Sequence, residues 1–393
     1  MVNFMKIAIL TSGILPVPAV QGGAVETLVD FYLDYNDRHQ LHDITVYSVW
    51  HPAVKTHTAL KSVVNHYRYI KVDGWWKKVK KKVYQAIHGK EYYHYTIEYY
   101  LREALQHIRT QQYDVILIEN RPGYVLKLRD ITDARIVYHL HNEKLSIQVA
   151  QYQEIYDAAS CILTVSDYIK SRVQTINPQD TKTQTVHNGI DLHAFRKKPT
   201  KTPIQLDAGD FLLVYSGRIN REKGIMELVE ALALLKEHTH IKLLVIGGSF
   251  YGNATHDNPF IRELKAKAAP LHNRIIFTGF IPYASIPNYL GIAHVAVIPS
   301  VWDDPFPTTV LEAQAMGLPI ITTRRGGIPE EVTDENAILL NTDEHFVDNL
   351  AIAILDLYEH PEKRQQMSKA SLERSKIFDK VTYARNFFKA LEP

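Results

Sequence analysis

Short apolar runs alternate with helical patterns along most of the chain, and this alternation constrains the fold more than any other feature. In the first half, the apolar runs lie at residues 6–11, 44–49, 114–118, 135–140, 161–165 and 183–186. Their near-continuous hydrophobicity is typical of parallel strands covered on both faces. Helical spacing occurs between them at residues 25–35, 95–109 and 144–157. This order predicts an α/β domain with a doubly wound parallel sheet.

A second series of the same kind follows a break in the pattern. Residues 196–203 are basic, contain two prolines and have no periodicity, as expected of a linker. Beyond it, strands are predicted at 211–216, 241–246, 274–278, 295–299, 319–323 and 337–340, and helices at 225–237, 258–268, 309–316 and 346–358. Because 393 residues exceed one ordinary core, we predict two Rossmann-like domains, at residues 1–197 and 204–375.

Composition excludes several classes of protein. With 46% hydrophobic and 22% charged residues, the chain is globular rather than disordered. The single cysteine, Cys161, excludes a disulfide framework and a zinc site built from several cysteines. A net charge of +2 gives no overall polyanion-binding character, so no nucleic-acid partner is expected. The sequence has no run of eighteen apolar residues and no signal peptide at its start, so we expect a cytoplasmic protein.

A basic loop follows the predicted strand 211–216. Gly217 turns the chain, and Arg218 and Lys223 precede a predicted helix. Two cations near a helix amino terminus are suited to a diphosphate. The alternative is a solvated basic loop.

Two acids lie eight positions apart after the predicted strand 295–299. Asp304 falls in a loop, and Glu312 falls on the first turns of the next helix. Carboxylates in such positions accept hydrogen bonds from the hydroxyls of a sugar or a ribose. The alternative is an acid that only complements the helix dipole. The adjacent pair Asp303 and Asp304 lacks the further ligands of a metal site.

The order of these motifs resembles glycosyltransferase family 4. The resemblance rests on Gly217-Arg218, Lys223-Gly224, Asp304 with Glu312-Ala313, Met316-Gly317-Leu318-Pro319, Gly22-Gly23, Thr164-Val165-Ser166, His187-Asn188-Gly189-Ile190-Asp191 and Gly326-Gly327-Ile328-Pro329-Glu330. Each piece alone is weak, but the ordered set covers nearly the whole chain.

The resemblance implies the GT-B fold, in which two Rossmann-like domains face each other across a cleft that holds the active site. It implies sugar transfer from a nucleotide diphosphate donor with retention at the anomeric carbon. Arg218 and Lys223 would hold the diphosphate and stabilise the leaving group, beside Gly217. Glu312 would bind the ribose, and Asp304 would contact hydroxyls of the donor sugar. The final helix would return to the first domain, so residues 376–393 are assigned there.

The first domain contributes further expected site residues. Gly22 and Gly23 lie on a loop where backbone could approach the donor. His141 matches a family histidine that would lie near the reacting sugar. His139 is expected on the opposite face of the strand, as a packed core or surface histidine.

The chain departs from the family pattern at two positions. Asp304 stands where the family usually has Glu, one methylene longer. Pro307 stands where Gly is common, and its missing N–H cannot donate to a sugar hydroxyl. Phe306, Thr308 and Thr309 keep their N–H groups and are included among the donor-binding residues. The departures bear on the identity of the donor sugar.

The expected chemistry needs no cofactor and no metal, since the two cations supply the positive charge. UDP is the expected nucleotide, and the acceptor is expected to be a saccharide or a lipid-linked saccharide of bacterial surface polysaccharide synthesis. Residues 75–88 hold five lysines and two tryptophans. They fit an amphipathic helix on the inner face of a membrane, or a surface helix that packs on its own domain.

Of three other functions, one is disfavoured by the sequence and two stay open at this point. A dinucleotide-dependent dehydrogenase needs a glycine triplet that Gly22-Gly23 does not provide. A nucleotide-sugar-binding protein without catalysis and a sugar-nucleotide epimerase of similar fold are both compatible with the motifs.

Overall fold

A computed structural model describes residues 4–72, 94–198, 204, 206–248, 259–271 and 273–392. The predicted amphipathic segment 75–88 and most of the predicted linker lie outside these residues, as do residues 249–258. The chain forms two compact units, Met1–His187 with Tyr383–Pro393, and Asn188–Thr382. The predicted division at 198–203 falls ten or more residues after this boundary.

The first unit is built on a parallel sheet with seven strands among the described residues. These strands are β1 (Lys6–Leu10), β2 (Asp43–Val49), β3 (Asn65–Ile70), β4 (Val115–Glu119), β5 (Arg135–Leu140), β6 (Cys161–Thr164) and β7 (Thr183–Thr185). The strand order is β3-β2-β1-β4-β5-β6-β7. In register, Ile7 pairs with Ile44 on one side and with Val115 on the other. The order therefore reverses between β1 and β4.

Helices connect these strands. They are α1 (Ala24–His39), α2 (Tyr95–Ile108), α3 (Val125–Leu128), α4 (Tyr152–Ala158) and α5 (Asp167–Gln174). The start of α5 is fixed by Ser166, whose Oγ accepts a hydrogen bond from the Ile169 amide at 3.2 Å. The predicted helix 144–157 begins only at Tyr152, and β3, α3 and α5 were not predicted.

The second unit has a parallel sheet of six described strands. They are β8 (Phe211–Ser216), β9 (Ile241–Ile246), β10 (Ile275–Gly279), β11 (Val295–Ile298), β12 (Ile320–Thr323) and β13 (Ala337–Leu340), in the order β10-β9-β8-β11-β12-β13. The helices are α6 (Ile225–Leu234), α7 (Pro259–Ala268), α8 (Ile286–Leu290), α9 (Thr308–Ala315), α10 (Ile328–Glu331), α11 (Phe346–Glu359) and α12 (Pro361–Ser375). Of these, α8, α10 and α12 lie in segments where no helix was predicted. Two doubly wound parallel sheets confirm the predicted fold class.

The last helix, α13 (Lys380–Leu391), completes the core of the first unit. Tyr383, Phe387 and Leu391 are spaced four residues apart and are buried in the cluster that contains Ile7 of β1. The ring of Phe387 stacks on that of Tyr32, with centroids 4.1 Å apart. Burial of this aromatic face holds the chain terminus on the first unit.

In each sheet the strand order reverses beside the first strand of the unit. The reversal lies between β1 and β4 in the first sheet and between β8 and β11 in the second. Open parallel sheets bind ligands beyond the carboxyl ends of the strands at such a point. A ligand site is therefore expected in the loops that follow the strand ends at Leu10, Glu119, Ser216 and Ile298. Within the part of the chain described here, no helix is both long and apolar enough to span a membrane.

Candidate functional site

The loop after β8 is shaped by close backbone approach. The amide of Gly217 donates to the carbonyl of Ile246 at 3.0 Å, at the end of β9. A Cβ at Gly247 would lie 2.0 Å from the carbonyl oxygen of Gly217, so only glycine fits there. The hydroxyl of Tyr215 donates to the carbonyl of Arg218 at 2.7 Å. These contacts hold the exposed Arg218 at the edge where the strand order reverses.

Lys223 is held by the turn that precedes α6. The side chain of Asn220 accepts a hydrogen bond from the Lys223 amide at 3.2 Å. Gly224 then adopts a left-handed conformation with φ of 68°, and a Cβ there would lie 1.7 Å from the carbonyl oxygen of Pro299. The turn thus packs directly on the segment that follows β11.

This packing brings Lys223 onto Asp304. The Lys223 ammonium forms a salt bridge and hydrogen bond with Asp304 Oδ2. The side chains are 18% and 7% exposed, so the pair is shielded from bulk water. The hydroxyl of Ser300 also donates to Asp304 Oδ2, at 3.4 Å, and the Lys223 ammonium lies 5.6 Å from the centre of the Trp302 ring. Two predicted site residues that are 81 positions apart therefore meet.

The backbone of Asp304 is fixed by the loop after β12. The Gly327 amide donates to the Asp304 carbonyl at 2.8 Å, and a Cβ at Gly326 would lie 2.2 Å from the same oxygen. The neighbouring Asp303 pairs instead with Arg325, at 3.5 Å. The two adjacent acids therefore have separate partners.

Glu312 lies on α9 and is 3% exposed. Burial raises its pKa to about 8, although a hydrogen bond with Thr308, one turn earlier, acts in the opposite direction. Pro307 precedes the helix, and Thr308 and Thr309 form its first turn, half-buried. Phe306 is buried, with its ring 5.7 Å from that of Phe378. At neutral pH the buried Glu312 holds a proton.

Glu331, at the end of α10, is a buried acid that sequence reasoning missed. It is fully buried, and neither carboxylate oxygen has a hydrogen-bond partner among the described residues. Burial raises its pKa well above the ordinary value, and the charge of Asp304 raises it further. The sequence analysis did not single out Glu331, because its burial depends on the packing of distant segments.

A second set of polar side chains lies in the first unit, where β4 and β5 end. Glu119 is fully buried, and its Oε1 accepts a hydrogen bond from the Tyr32 hydroxyl at 2.8 Å. The same oxygen lies 3.1 Å from His139 Nδ1, and Oε2 lies 3.1 Å from His141 Nε2. The backbone amide of His141 donates to the side chain of Asn120 at 3.1 Å. His141 is thus held at both its ring and its backbone.

The predicted orientation of His139 was wrong. Side chains at positions i and i+2 of a strand lie on the same face, so His139 and His141 point the same way. Their ring centroids are 4.2 Å apart, and both rings contact Glu119. His139 is fully buried beside Phe387, as expected of a packed core histidine.

Of the two predicted glycines of the first unit, Gly23 lies beside a buried carboxylate, that of Glu26. Gly23 precedes α1 with φ of 107°, and a Cβ there would lie 2.3 Å from Oε2 of Glu26. Burial raises the pKa of Glu26 to about 7, and the charge of Glu119 contributes to the rise. Gly22 has φ of 77° and open space around it. The loop therefore approaches Glu26, whose pKa is raised in part by Glu119, the acid that contacts both histidines.

Glu119, His139 and His141 are close enough to hold a metal ion, with one ligand atom from each within 4.8 Å of the others. Metal-bound histidines usually donate their second ring nitrogen to a carboxylate, a carbonyl or water. Here Nε2 of His139 is buried and has no partner among the described residues. The side chains therefore fit a hydrogen-bonded network better than a metal centre.

The structure groups the predicted residues into two sets. Lys223 and Asp304 are in contact, and the predicted residues from Phe306 to Glu312 follow on the same segment. Gly22, Gly23 and His141 lie in the first unit. Sequence reasoning missed Glu26, Glu119 and Tyr32, although an acid directly after the apolar run 115–118 was a usable signal.

Part of the chain is similar in sequence to a known family of proteins. The sequence model of the family Glycosyl transferases group 1 matches residues 197–374, which include Arg218, Lys223, Asp304 and Glu312. With the two parallel-sheet units, this match supports a glycosyltransferase with the GT-B fold.

The chain is also similar to particular proteins, one of which is named as an N-acetylglucosaminetransferase. The Spore coat protein SA of Bacillus subtilis is 28% identical over 384 residues, covering 93% of each chain. The lipopolysaccharide 1,2-N-acetylglucosaminetransferase of Salmonella typhimurium is 25% identical over 232 residues, covering 58% of this chain and 59% of its own. The solved structure of Anabaena HepE in complex with UDP and glucose superposes with a TM-score of 0.71 at 19% identity, covering 98% of this chain and 99% of HepE. That similarity concerns the GT-B fold.

Proposed function

We propose that the chain is a retaining glycosyltransferase of family 4 that transfers a sugar from a UDP-sugar to a saccharide or a lipid-linked saccharide. The salt bridge between Lys223 and Asp304 carries this proposal. It joins a cation suited to a diphosphate and an acid suited to sugar hydroxyls at the point where the second sheet reverses its strand order. A donor needs both groups side by side, because its pyrophosphate and its sugar are directly linked.

Without donor, Lys223 and Asp304 neutralise each other. A bound donor would replace this contact with two others, in which Lys223 binds the diphosphate and Asp304 binds sugar hydroxyls. Arg218, exposed at the same edge, would supply a second cation. Positive charges placed before the reaction stabilise the charge that develops on the leaving diphosphate.

Glu312 would bind the ribose of the nucleotide. Its buried carboxyl lies one turn into α9, and its pKa of about 8 keeps it protonated at pH 7. A carboxylate that accepts hydrogen bonds from two ribose hydroxyls is favoured in its ionised form, so ribose binding would release the proton. Backbone amides of Thr308 and Thr309, in the first turn of α9, are suited to the phosphates or the sugar.

The proposed reaction is a front-face substitution through an oxocarbenium-like state. The bond between the anomeric carbon and the β-phosphate oxygen breaks, and a bond from the acceptor oxygen forms on the same face. The acceptor proton passes to the departing phosphate. No pair of protein carboxylates like that of a glycosidase is needed. His141, with Gly22 and Gly23, would contact the donor or acceptor from the first unit.

The first experiment measures hydrolysis of UDP-sugars by the purified protein, after a thermal-shift screen of UDP-, GDP- and ADP-sugars. A ligand that binds only the folded state raises the melting temperature. Loss of one preorganised cation should lower turnover by about 100- to 1000-fold, so we expect this for Arg218→Ala and for Lys223→Ala. Arg221→Ala is a matched control, since this exposed cation in the same turn pairs with Glu263. Undiminished turnover in both site variants would refute the assignment.

The proposed reaction needs no metal ion. Because Lys223 and Arg218 supply the positive charge, turnover should survive dialysis against EDTA. Complete loss of activity on chelation, restored by a divalent cation, would contradict the metal-independent mechanism.

Two other functions are separable by experiment. A nucleotide-sugar-binding protein would show a thermal shift with no turnover. A sugar-nucleotide epimerase would yield a new UDP-sugar in the absence of any acceptor. HepE, in structures described with UDP and with UDP-glucose, supports UDP as the first nucleotide to test.

The acceptor side is the second part of the proposal. Relatives named for lipopolysaccharide and colanic acid synthesis support a role in bacterial surface polysaccharide synthesis. Residues 75–88, with five lysines and two tryptophans, are proposed to bring the protein to the inner face of the membrane, where lipid-linked acceptors are found. Co-sedimentation with anionic liposomes tests this contact.

A further inference from the structure

The polar network in the first unit centres on one buried carboxylate. Glu119 is the last residue of β4, beside β1, where the strand order reverses. It is fully buried and has three partners, Tyr32 at 2.8 Å and the rings of His139 and His141, each at 3.1 Å. Burial of a charged carboxylate is unfavourable unless it is paired and hydrogen-bonded, so this arrangement indicates a role beyond packing.

The hydrogen bonds fix where the protons lie. Burial raises the pKa of Glu119, but the neighbouring His139 and the hydrogen bonds from both histidines outweigh this effect and lower the pKa to about 2. The carboxylate is therefore ionised and can only accept hydrogen bonds. The ring nitrogen of each histidine that faces Glu119 must then carry a hydrogen.

His141 consequently has a defined tautomer. Burial lowers its pKa to about 4, so the ring is neutral at pH 7 and carries one N–H. That N–H is at Nε2, because Nε2 faces the carboxylate. Nδ1 then carries a lone pair and acts only as an acceptor. Nδ1 of His141 has no hydrogen-bond partner among the residues that the structure describes.

We propose that Glu119 is a positioning residue, which orients His141 and fixes Nδ1 as the acceptor for a hydroxyl of the bound sugar. This inference rests on the proposed function. It assigns a direction to the contact, in which the sugar donates and the histidine accepts. His139 contributes to the same end, since it holds Oε1 of Glu119 and packs against Phe387 of the last helix.

Glu119→Gln tests the proposal with almost no change in shape. The amide of Gln has one oxygen and one NH2 group, so it cannot accept from both histidines as the carboxylate does. Where the NH2 group faces His141, Nε2 must lose its hydrogen and Nδ1 gains it. The acceptor is then lost, and turnover of UDP-sugar should fall by about 10- to 100-fold, by analogy with the loss of the carboxylate that orients a metal-bound histidine. The affinity for UDP alone should stay within about threefold, since Arg218, Lys223 and Glu312 lie in the other unit.

Two comparisons separate positioning from a structural role. Glu119→Gln should add nothing to the loss caused by His141→Ala, because the carboxylate acts through that ring. Tyr32→Phe removes one hydrogen bond to Glu119 and leaves both histidine contacts intact, so its turnover should stay near that of the wild type. Additive losses in the double variant would overturn the proposal, as would full activity of Glu119→Gln.

The tautomer can also be observed directly. In protein labelled with 15N-histidine, the His141 signals are those missing from His141→Ala, and their shifts report which ring nitrogen carries the hydrogen. We expect Nε2–H in the wild type and a changed state in Glu119→Gln. An unchanged state would overturn the proposal. If the wild type turns over no UDP-sugar, the proposed function fails, while this measurement still decides whether Glu119 sets the tautomer. One equivalent of bound zinc, lost in Glu119→Gln, would also overturn it, in favour of a metal site.

Discussion

Replacing Glu312 by Gln should stabilise the protein at alkaline pH. The Glu312 side chain is buried on α9, and burial raises its pKa from 4.5 to about 8. Between these two values, the folded protein holds a proton that the unfolded chain has lost. The free energy of unfolding therefore falls as pH rises through this window. Gln is neutral at every pH and keeps a hydrogen-bonding group within reach of Thr308, so the variant lacks this loss.

The size of the effect follows from the shift. At about 1.4 kcal/mol per pKa unit, the rise from 4.5 to about 8 corresponds to at most roughly 5 kcal/mol of stability lost from pH 4 to above pH 8. At pH 7 the difference between variant and wild type should be about 3 kcal/mol. The pKa values of Glu26 and Asp30 are raised to about 7 by burial and act in the same direction. Their contribution cancels when the two proteins are compared at equal pH.

Urea unfolding at pH 5, 6, 7 and 8, followed by tryptophan fluorescence, measures this difference. The gap between the midpoints should be small at pH 5 and should reach roughly 1 M urea at pH 7. Since the two units can unfold separately, the relevant transition is the one that the substitution shifts. The exposed Glu237→Gln is the control and should show no gap that grows with pH.

A gap that is the same at every pH would refute this reasoning, since it would show that Glu312 is ionised in the folded protein. A variant less stable than the wild type at pH 8 would do the same. Either result would also remove the proposed release of a proton on ribose binding.

Three further outcomes are expected. Gly224→Ala should lower the free energy of unfolding by about 3 kcal/mol or more, because φ is 68° and the new Cβ would lie 1.7 Å from the Pro299 carbonyl oxygen. Chemical denaturation measures this change, and a loss below about 1 kcal/mol would contradict the geometry. UDP binding at pH 7 should release about one proton through Glu312, measured by calorimetry in buffers of different ionisation enthalpy, and no buffer dependence would count against it. Changing the five lysines in residues 75–88 to Glu should abolish co-sedimentation with anionic liposomes, worth about 1 kcal/mol per lysine; unchanged binding would exclude the membrane contact.

Much of the fold was predictable because the strands of a covered parallel sheet are short and almost wholly apolar. The predicted bounds of β5, β8, β9 and β13 are those of the structure. In contrast, β3 (Asn65–Ile70) alternates exposed and buried side chains at the edge of the sheet and has no continuous apolar run. The short helix α5 begins at a Ser cap and carries few apolar residues, so its periodicity was too weak to detect.

The candidate site was predictable to the extent that its residues follow strands directly. Arg218 and Asp304 come after β8 and β11, which lie side by side where the strand order reverses. Glu119 was missed because its significance depends on partners elsewhere in the chain. His139 was placed on the wrong face because consecutive residues of a strand alternate between faces, whereas residues two apart, such as His139 and His141, share one face.

The sequence by itself determined two α/β units and the loops that carry charge at the ends of their strands. Hydrophobic periodicity and glycine turns are local properties, so both can be identified directly from the sequence. Only the tertiary structure decided which distant side chains form hydrogen bonds and salt bridges. Tyr32 meets Glu119 across 87 positions, and Lys223 meets Asp304 across 81. Such partnerships depend on the order of strands in the sheet, and the energy of a buried charge depends on what surrounds it, which no local pattern encodes.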